Sequence, residues 1–308
     1  MKKIYVIIFS LIFIPLTAYC NNTDEWLTYD MQETPQMDLS EDIPSMPVII
    51  GPDDRIEITG IANKYQKPAV TLMIFFSEGE VYCSGALVGK NIVLTAAHCL
   101  ISNGNLPSGA IIYANGVPER PTAVATRFLI SEKYKYNDPN HDRYDYAFIL
   151  LDSPLGNQVG YFGLKKHSVL RLLKKKIQVL GIGADKSFET LWLAEGHVRP
   201  FFLITSPKKY FIEYDADTTE SSSGAPVVLA DDPGNIIAIN NLEFKYYPIR
   251  RDNYVNTGLL ITSDMERMLN QLRKHYEVSE EINNNVKQFD KEINNQISNT
   301  IVNAEVLQ

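Results

Sequence analysis

Three separated stretches of the chain hold the residue types that nucleophilic acyl chemistry requires. His98 lies in T-A-A-H-C, Thr95 to Cys99, directly after the apolar run 92–94. Asp145 stands at the mouth of an apolar run in Y-D-Y-A-F-I-L-L, Tyr144 to Leu151. Ser223 lies in T-T-E-S-S-S-G-A-P-V-V, Thr218 to Val228, ahead of Gly224, a small residue and Pro226. A serine hydroxyl becomes a competent nucleophile when an imidazole takes its proton, and a carboxylate can fix the tautomer of that imidazole. A serine on a tight turn can also offer its own N–H, together with that of Ser221, to a developing oxyanion. Each signal is weak alone. A lone histidine is more often structural, an aspartate opening a strand is usually a turn residue, and a Ser-rich loop is ordinarily only a loop. Asp142 and Asp152 compete with Asp145, although neither precedes the apolar run so directly. The weight comes from the co-occurrence of the three, in the order His, Asp, Ser.

Such groups need a rigid frame, and the chain supplies short β-type runs separated by turn residues. These fall at 69–76, 86–88, 92–96, 110–113, 123–130, 146–151, 177–180, 201–205, 210–214, 226–229, 236–239 and 258–261. About a dozen short strands without intervening helices point to an all-β antiparallel sandwich or barrel rather than a βαβ fold. One helix is signed near the end: Ser263 and Glu266 have capping-box spacing, and Met265, Met268, Leu269 and Leu272 recur at helical intervals. Beyond Val278 the residues Ile282, Val286, Phe289, Ile293 and Ile297 keep a three-to-four spacing amid many Asn, which fits a second amphipathic helix or a solvated tail. That spacing also raises the idea of a partner or self-association surface.

Composition bounds the class. The 308 residues are 45% hydrophobic and 21% charged, as in an ordinary globular protein, and carry a formal charge of -8. Phosphate binding needs a concentrated basic face, so the acidic balance argues against nucleic acid as a partner; the run Lys174 to Lys176 is short. Lys2 and Lys3 precede an apolar run at 4–16 that is short for a membrane span, so residues 1–20 read as a signal peptide, cut after Ala18 or Cys20. No stable membrane insertion is expected once it is gone, and the product is expected to be secreted, extracellular or periplasmic. A lipidated Cys20 is the other reading, against which Tyr19 is bulky for the position before it. Cys83 and Cys99 then remain as an even pair in an oxidising compartment, which fits a disulfide; two buried free thiols are the alternative. Residues 21–47 are acidic and Pro-containing, as in a propeptide or flexible leader. His141, His167, His197 and His275 show no metal-ligand spacing.

The stretch V-I-I-G-P-D-D-R from Val48 to Arg55, C-S-G-A-L-V-G with T-A-A-H-C, Y-D-Y-A-F-I-L-L, P-L-G-N-Q-V-G-Y-F-G and S-G-A-P-V together resemble the bacterial glutamyl endopeptidases, the V8-like branch of the trypsin-like serine proteases. The resemblance runs from about Val48 to about Arg273. It implies two antiparallel six-stranded β-barrels with a cleft between them and a C-terminal helix, in a protease domain at 48–278 followed by an extension at 279–308. It implies His98, Asp145 and Ser223 as a catalytic triad acting on protein or peptide substrates, with no cofactor or metal. It also implies a leader removed near Val48 by an activating protease, the freed N-terminus helping to form the specificity pocket. Departures are visible. The family usually has glycines two and three residues before the nucleophile, where this chain has Ser221 and Glu220. A histidine of the family's pocket is matched by Asn240; Thr218 matches a pocket residue, and Asp217 is either a pocket acid or a turn residue facing away. A binding or adhesion protein on the same scaffold, weak or inactive in catalysis, is the reading that the altered loop leaves open.

Overall fold

The computed structural model describes residues 26–30, 49–60, 62–134, 141–200, 210–245 and 254–276. The expected run 201–205 and the extension 279–308 lie outside the described residues. The first strands are β1 (Trp26–Asp30) and β2 (Ile56–Ile58). Six more follow: β3 (Ala69–Phe76), β4 (Gly79–Leu87), β5 (Ile92–Thr95), β6 (Gly109–Tyr113), β7 (Thr122–Ser131) and β8 (Ala147–Leu151). They close into an antiparallel barrel, because β7 pairs with β6 at one end and with β8 at the other. The register shift between Ala125 and Arg127 bends β7 where it changes partner, which is how a bulge turns a barrel corner.

The second half contains β9 (Gly163–Leu164), β10 (Lys176–Gly181), β11 (Leu191–His197), β12 (Phe211–Tyr214), β13 (Pro226–Leu229), β14 (Asp232–Lys245) and β15 (Tyr254–Leu260). The sheet runs β12-β15-β14-β13-β10-β11-β2, with β9 paired to β14. The chain leaving β11 meets β12 at the isolated bridge between Val198 and Tyr214, where the Arg199 N–H also donates to the Glu213 carbonyl at 2.7 Å. The architecture is mostly β and chymotrypsin-like, as expected.

Period-two alternation explains why the strands facing the seam are apolar on both sides. In β8, Ile149 and Leu151 point into the first barrel's interior, while Phe148 and Leu150 join the layer shared with the second half. β5 divides in the same way, Val93 inward and Ile92 and Leu94 toward the seam. Leu180, Leu193, Val228, Ile236 and Ile239 meet them from the other side, and Ile177, Val179, Ile212, Val227 and Ile237 fill the second interior.

The helix at 263–276 buries Met265, Leu269 and Leu272 in the seam layer, each worth about 1.5–3 kcal/mol of transfer energy. Its cap differs from the expected one. The Thr262 hydroxyl accepts the Met265 N–H at 3.2 Å, whereas the Ser263 hydroxyl accepts from the Lys166 ammonium at 2.7 Å. The helix starts one residue earlier than the Ser263 spacing suggested, so Thr262 occupies the position whose side chain faces the open amides. Two one-turn helices, α1 (Gly156–Val159) and α2 (Val169–Leu172), interrupt the strands where none was expected.

Four strands escaped the sequence pattern, the short β2 and β9 as well as β11 and β1. β11 carries Glu195 and Gly196 inside it, and the glycine is required by close approach: a Cβ there would lie 2.4 Å from the Ala216 nitrogen. β1 lies within the segment expected to be loose. Its Trp26–Asp30 backbone pairs with Ser131–Arg127 of β7, alongside the half of that strand that β6 leaves unpaired.

Cys83 and Cys99 form the expected disulfide, with a sequence separation of 16. It ties β4 to the turn that bears His98. Replacing both cysteines by alanine should lower the unfolding free energy by about 3 kcal/mol, read from denaturant midpoints under conditions that keep the wild-type bond oxidised. A change below about 0.5 kcal/mol would contradict a constraining role for the bond.

Candidate active site

His98 lies in the single 3-10 turn Ala97–Leu100 that follows β5, and Asp145 lies between the 3-10 turn His141–Tyr144 and β8. β5 and β8 are hydrogen-bonded neighbours, with Thr95 paired to Ala147, so the residues just outside the two strand ends meet. The Asp145 carboxylate accepts twice from His98: the backbone N–H donates to Oδ1 at 2.8 Å, and Nδ1 lies 2.7 Å from Oδ2. A carboxylate only accepts, so the proton sits on Nδ1 and leaves Nε2 of the neutral ring as an acceptor. Asp145 is 3% exposed and His98 24%, so the pair has a buried anchor and a solvent-reaching face. The competitors are placed elsewhere. Asp142 bonds to His141 at 2.9 Å, and Asp152 accepts the Val124 N–H at 3.0 Å.

Burial opposes protonation of the His98 imidazole, but the Asp145 charge and hydrogen bond outweigh it and raise the pKa above the ordinary 6.5. A raised folded pKa means that this pair's contribution to stability is present below the unfolded value and is lost as pH rises through the folded one. The neutral ring needed by a general base dominates only above that raised value.

Ser223 arrives from the second half. Its carbonyl accepts the Ser84 N–H at 2.9 Å and lies 3.8 Å from the sulfur of Cys99, the neighbour of His98. Gly224 has a φ of 80°, and a Cβ on it would stand 2.2 Å from Thr95 Oγ1 and 2.4 Å from the Ser84 carbonyl oxygen. No side chain fits there, and the turn therefore presses against the strand end that leads into His98. Ser223 itself is half-buried. Ser221, which stands where the family usually has glycine, adopts a left-handed φ of 71°, a conformation that costs a non-glycine residue about 1–3 kcal/mol. Its carbonyl is held by the Ser84 hydroxyl at 2.8 Å.

The pocket candidates divide. Val48 lies outside the described residues, but the Ile50 N–H donates to Asp217 Oδ1 at 2.7 Å and the Asp54 N–H to Oδ2 at 3.3 Å. The Asp217 carboxylate thus receives the entering N-terminal segment; burial raises its pKa against the pull of those two amides. Asn240 is buried, with its amide donating to the Ser222 carbonyl at 3.0 Å and accepting from the Tyr214 hydroxyl at 2.5 Å. Thr218 is buried with no partner for its hydroxyl among the described residues, and it lines a cavity of about 10 Å³ that also meets Trp192, whose indole N–H is likewise unpaired among them. Sequence reasoning missed Ser84 and Asn241. The Asn241 amide donates to the Asp145 carbonyl at 3.2 Å, from the residue next to Asn240. Among the described residues no His, Cys, Asp and Glu cluster could hold a metal.

Residues 59–256, more than half of the chain, match the protein family described as Trypsin. The chain belongs to the trypsin family. This trypsin-family chain is 30% identical over 188 residues to a glutamyl endopeptidase of Bacillus licheniformis, covering 59% of the chain and 55% of that protein. It is 28% identical over 223 residues to a protein of Bacillus subtilis named extracellular metalloprotease, covering 70% and 67%. A glutamyl endopeptidase of Staphylococcus aureus is 24% identical over 189 residues, covering 58% and 48%. The chain therefore spans about half to two thirds of the length of these relatives. A solved structure of a Glu endopeptidase in complex with MPD superposes with a TM-score of 0.59 at 20% identity, over 74% of this chain and 100% of that one. An inactivated protease paralogue of the scabies mite shares the fold at a TM-score of 0.50 and 18% identity, over 71% and 100%.

Replacing Asp145 by asparagine removes the charge that raises the His98 pKa. NMR titration of the imidazole should give a midpoint above 6.5 in the wild type and a lower one in Asp145→Asn. Equal midpoints would contradict the assigned pairing.

Proposed function

We propose that this trypsin-family chain is an exported serine endopeptidase that hydrolyses peptide bonds through an acyl-enzyme on Ser223. The observation that carries the reading is the 2.7 Å contact between His98 Nδ1 and Asp145, beside the loop that seats Ser223. His98 Nε2 takes the Ser223 proton as Oγ attacks the scissile carbonyl carbon. The N–H groups of Ser221 and Ser223 face the oxyanion. The protonated imidazole then donates to the leaving amine as the C–N bond breaks, and water, giving its proton to His98, releases the acid and restores the serine.

Residues 48–278 form the protease domain, 21–47 a leader removed near Met46 to Val48 by an activating protease, and 279–308 an appended extension. The contacts of Ile50 and Asp54 with Asp217 support a link between the leader junction and the pocket. Lys2, Lys3 and the apolar run after them support export. Among the described residues no helix is long and apolar enough to cross a membrane. Acidic side chains are the P1 class to which the names of the relatives point, and the Thr218 hydroxyl, without a partner among the described residues, is a neutral donor for it.

Fluorophosphonate should label the trimmed wild type and fail to label Ser223→Ala, with hydrolysis by that variant lowered by about 10⁴-fold or more. Absence of labelling in a folded, trimmed sample would favour a binding role instead. In a peptide library, cleavage should concentrate after Glu and Asp and be faster for the trimmed form. A full-length form as fast as the trimmed one would remove the leader from the account.

A further inference from the structure

Beneath the nucleophile turn a guanidinium is gripped from three sides. Arg55 stands seven residues after Val48, and its side chain is only 3% exposed. Nε and Nη2 each donate at 2.9 Å to the two oxygens of Asp53. Nη1 and Nη2 donate to the two oxygens of Asp185 at 3.0 and 2.5 Å. Nη1 also reaches the Thr219 hydroxyl at 3.2 Å, and that hydroxyl donates to Asp185 at 2.9 Å. The guanidinium carbon lies 5.9 Å from the centre of the Trp192 ring. The cluster closes over Gly183, where a Cβ would come within 2.7 Å of Arg55 Nη1 and 2.5 Å of Thr219 Oγ1.

Thr219 belongs to the loop that carries Ser223. Its N–H donates to the Ser222 hydroxyl at 3.2 Å and its carbonyl accepts the Ser222 N–H at 3.0 Å. The segment that holds Asp185 also grips the next residue, since the Ala184 N–H donates to the Glu220 carbonyl at 2.7 Å. Two consecutive residues ahead of the left-handed Ser221 are therefore fastened to one charged cluster.

We propose that Arg55 is a positioning residue for the nucleophile, a guanidinium bridge that holds Thr219 and the 183–186 segment so that the Ser221–Ser223 turn keeps its shape. The proposal rests on the reading of Ser223 as nucleophile and adds a part to it: an internal cation from the N-terminal segment that braces the turn. Only a planar fork can meet two carboxylates in bidentate fashion and a hydroxyl at once, so lysine cannot replace it. The Arg55 hydrogen bond, the largest cause for each, holds Asp53 and Asp185 below the usual carboxylate range against burial, which pushes both up.

The test uses the trimmed protein, in which Trp192 is the only tryptophan because Trp26 leaves with the leader. In Arg55→Lys and Arg55→Met, kcat should fall about tenfold or more with KM within about threefold, the split expected when a reacting group is misplaced rather than a binding site lost. Amide exchange at 219–223 should quicken about tenfold or more in both, and Trp192 emission should shift, while exchange in the first barrel stays unchanged. Thr219→Val keeps Arg55 and both carboxylates, and it should change kcat and exchange in the same direction even if the Arg55 variants fold poorly. Rescue of kcat by lysine, or wild-type exchange at 219–223 in both Arg55→Met and Thr219→Val, would overturn the proposal. If the wild type itself takes no fluorophosphonate, the protease reading fails on that result alone. Exchange at 219–223 then still decides whether Arg55 braces the turn.

Discussion

Ser84 joins the two halves of the molecule through its N–H and its hydroxyl. It is fully buried near the end of β4, and its N–H donates to the Ser223 carbonyl at 2.9 Å. Its hydroxyl donates to the Ser221 carbonyl at 2.8 Å and accepts the Ile182 N–H at 3.0 Å, and its carbonyl accepts from the Thr95 hydroxyl at 2.8 Å. A site shared between the two halves requires such a joint, because apolar packing alone does not fix a turn to within a few tenths of an ångström. A buried hydroxyl that both donates and accepts across the seam also penalises any slip, since an orphaned partner there costs about 1–3 kcal/mol.

The remaining features of the site follow from that joint. Gly224 must lack a side chain because the Ser84 carbonyl and Thr95 hydroxyl occupy its Cβ space. The disulfide between Cys83, adjacent to Ser84, and Cys99, adjacent to His98, fixes the first barrel's side of the contact. The Asp145 carboxylate completes that side through two bonds to His98, and Asn241 reaches back from the second half to the Asp145 carbonyl. Arg55 supports the opposite side of the turn, below Thr219. The Ser223 loop is thus held from above by neutral hydrogen bonds and from below by a charged cluster, with the left-handed Ser221 between them.

How much of this could be read in the sequence depends on the range of the interaction. The run Ala69–Phe76 appeared as a strand with its observed bounds, because two buried faces leave a continuous apolar signature. The order of His98, Asp145 and Ser223 was legible from motifs, and the even cysteine pair from composition. β11 was not, since Glu195 and Gly196 break the apolar pattern for a reason that lies in another strand, the approach of Ala216. The cap fell to Thr262 rather than Ser263 because either hydroxyl satisfies the local pattern, and only the path of the entering chain chooses between them. β1 was missed because it answers an unpaired edge of β7. Arg55 and its partners Asp185 and Thr219 are separated by 130 and 164 residues, a distance at which no spacing rule speaks.

The central claim is that the imidazole of His98 and the hydroxyl of Ser223 share one site although they come from different barrels. The most direct test is to titrate the His98 ring by NMR before and after Ser223 is phosphonylated. Hydrolytic loss of the alkoxy group from the adduct leaves a phosphonate oxyanion on Ser223, which beside the ring should raise the His98 midpoint further. An unchanged His98 midpoint in a fully modified sample would place the two groups apart and contradict the account.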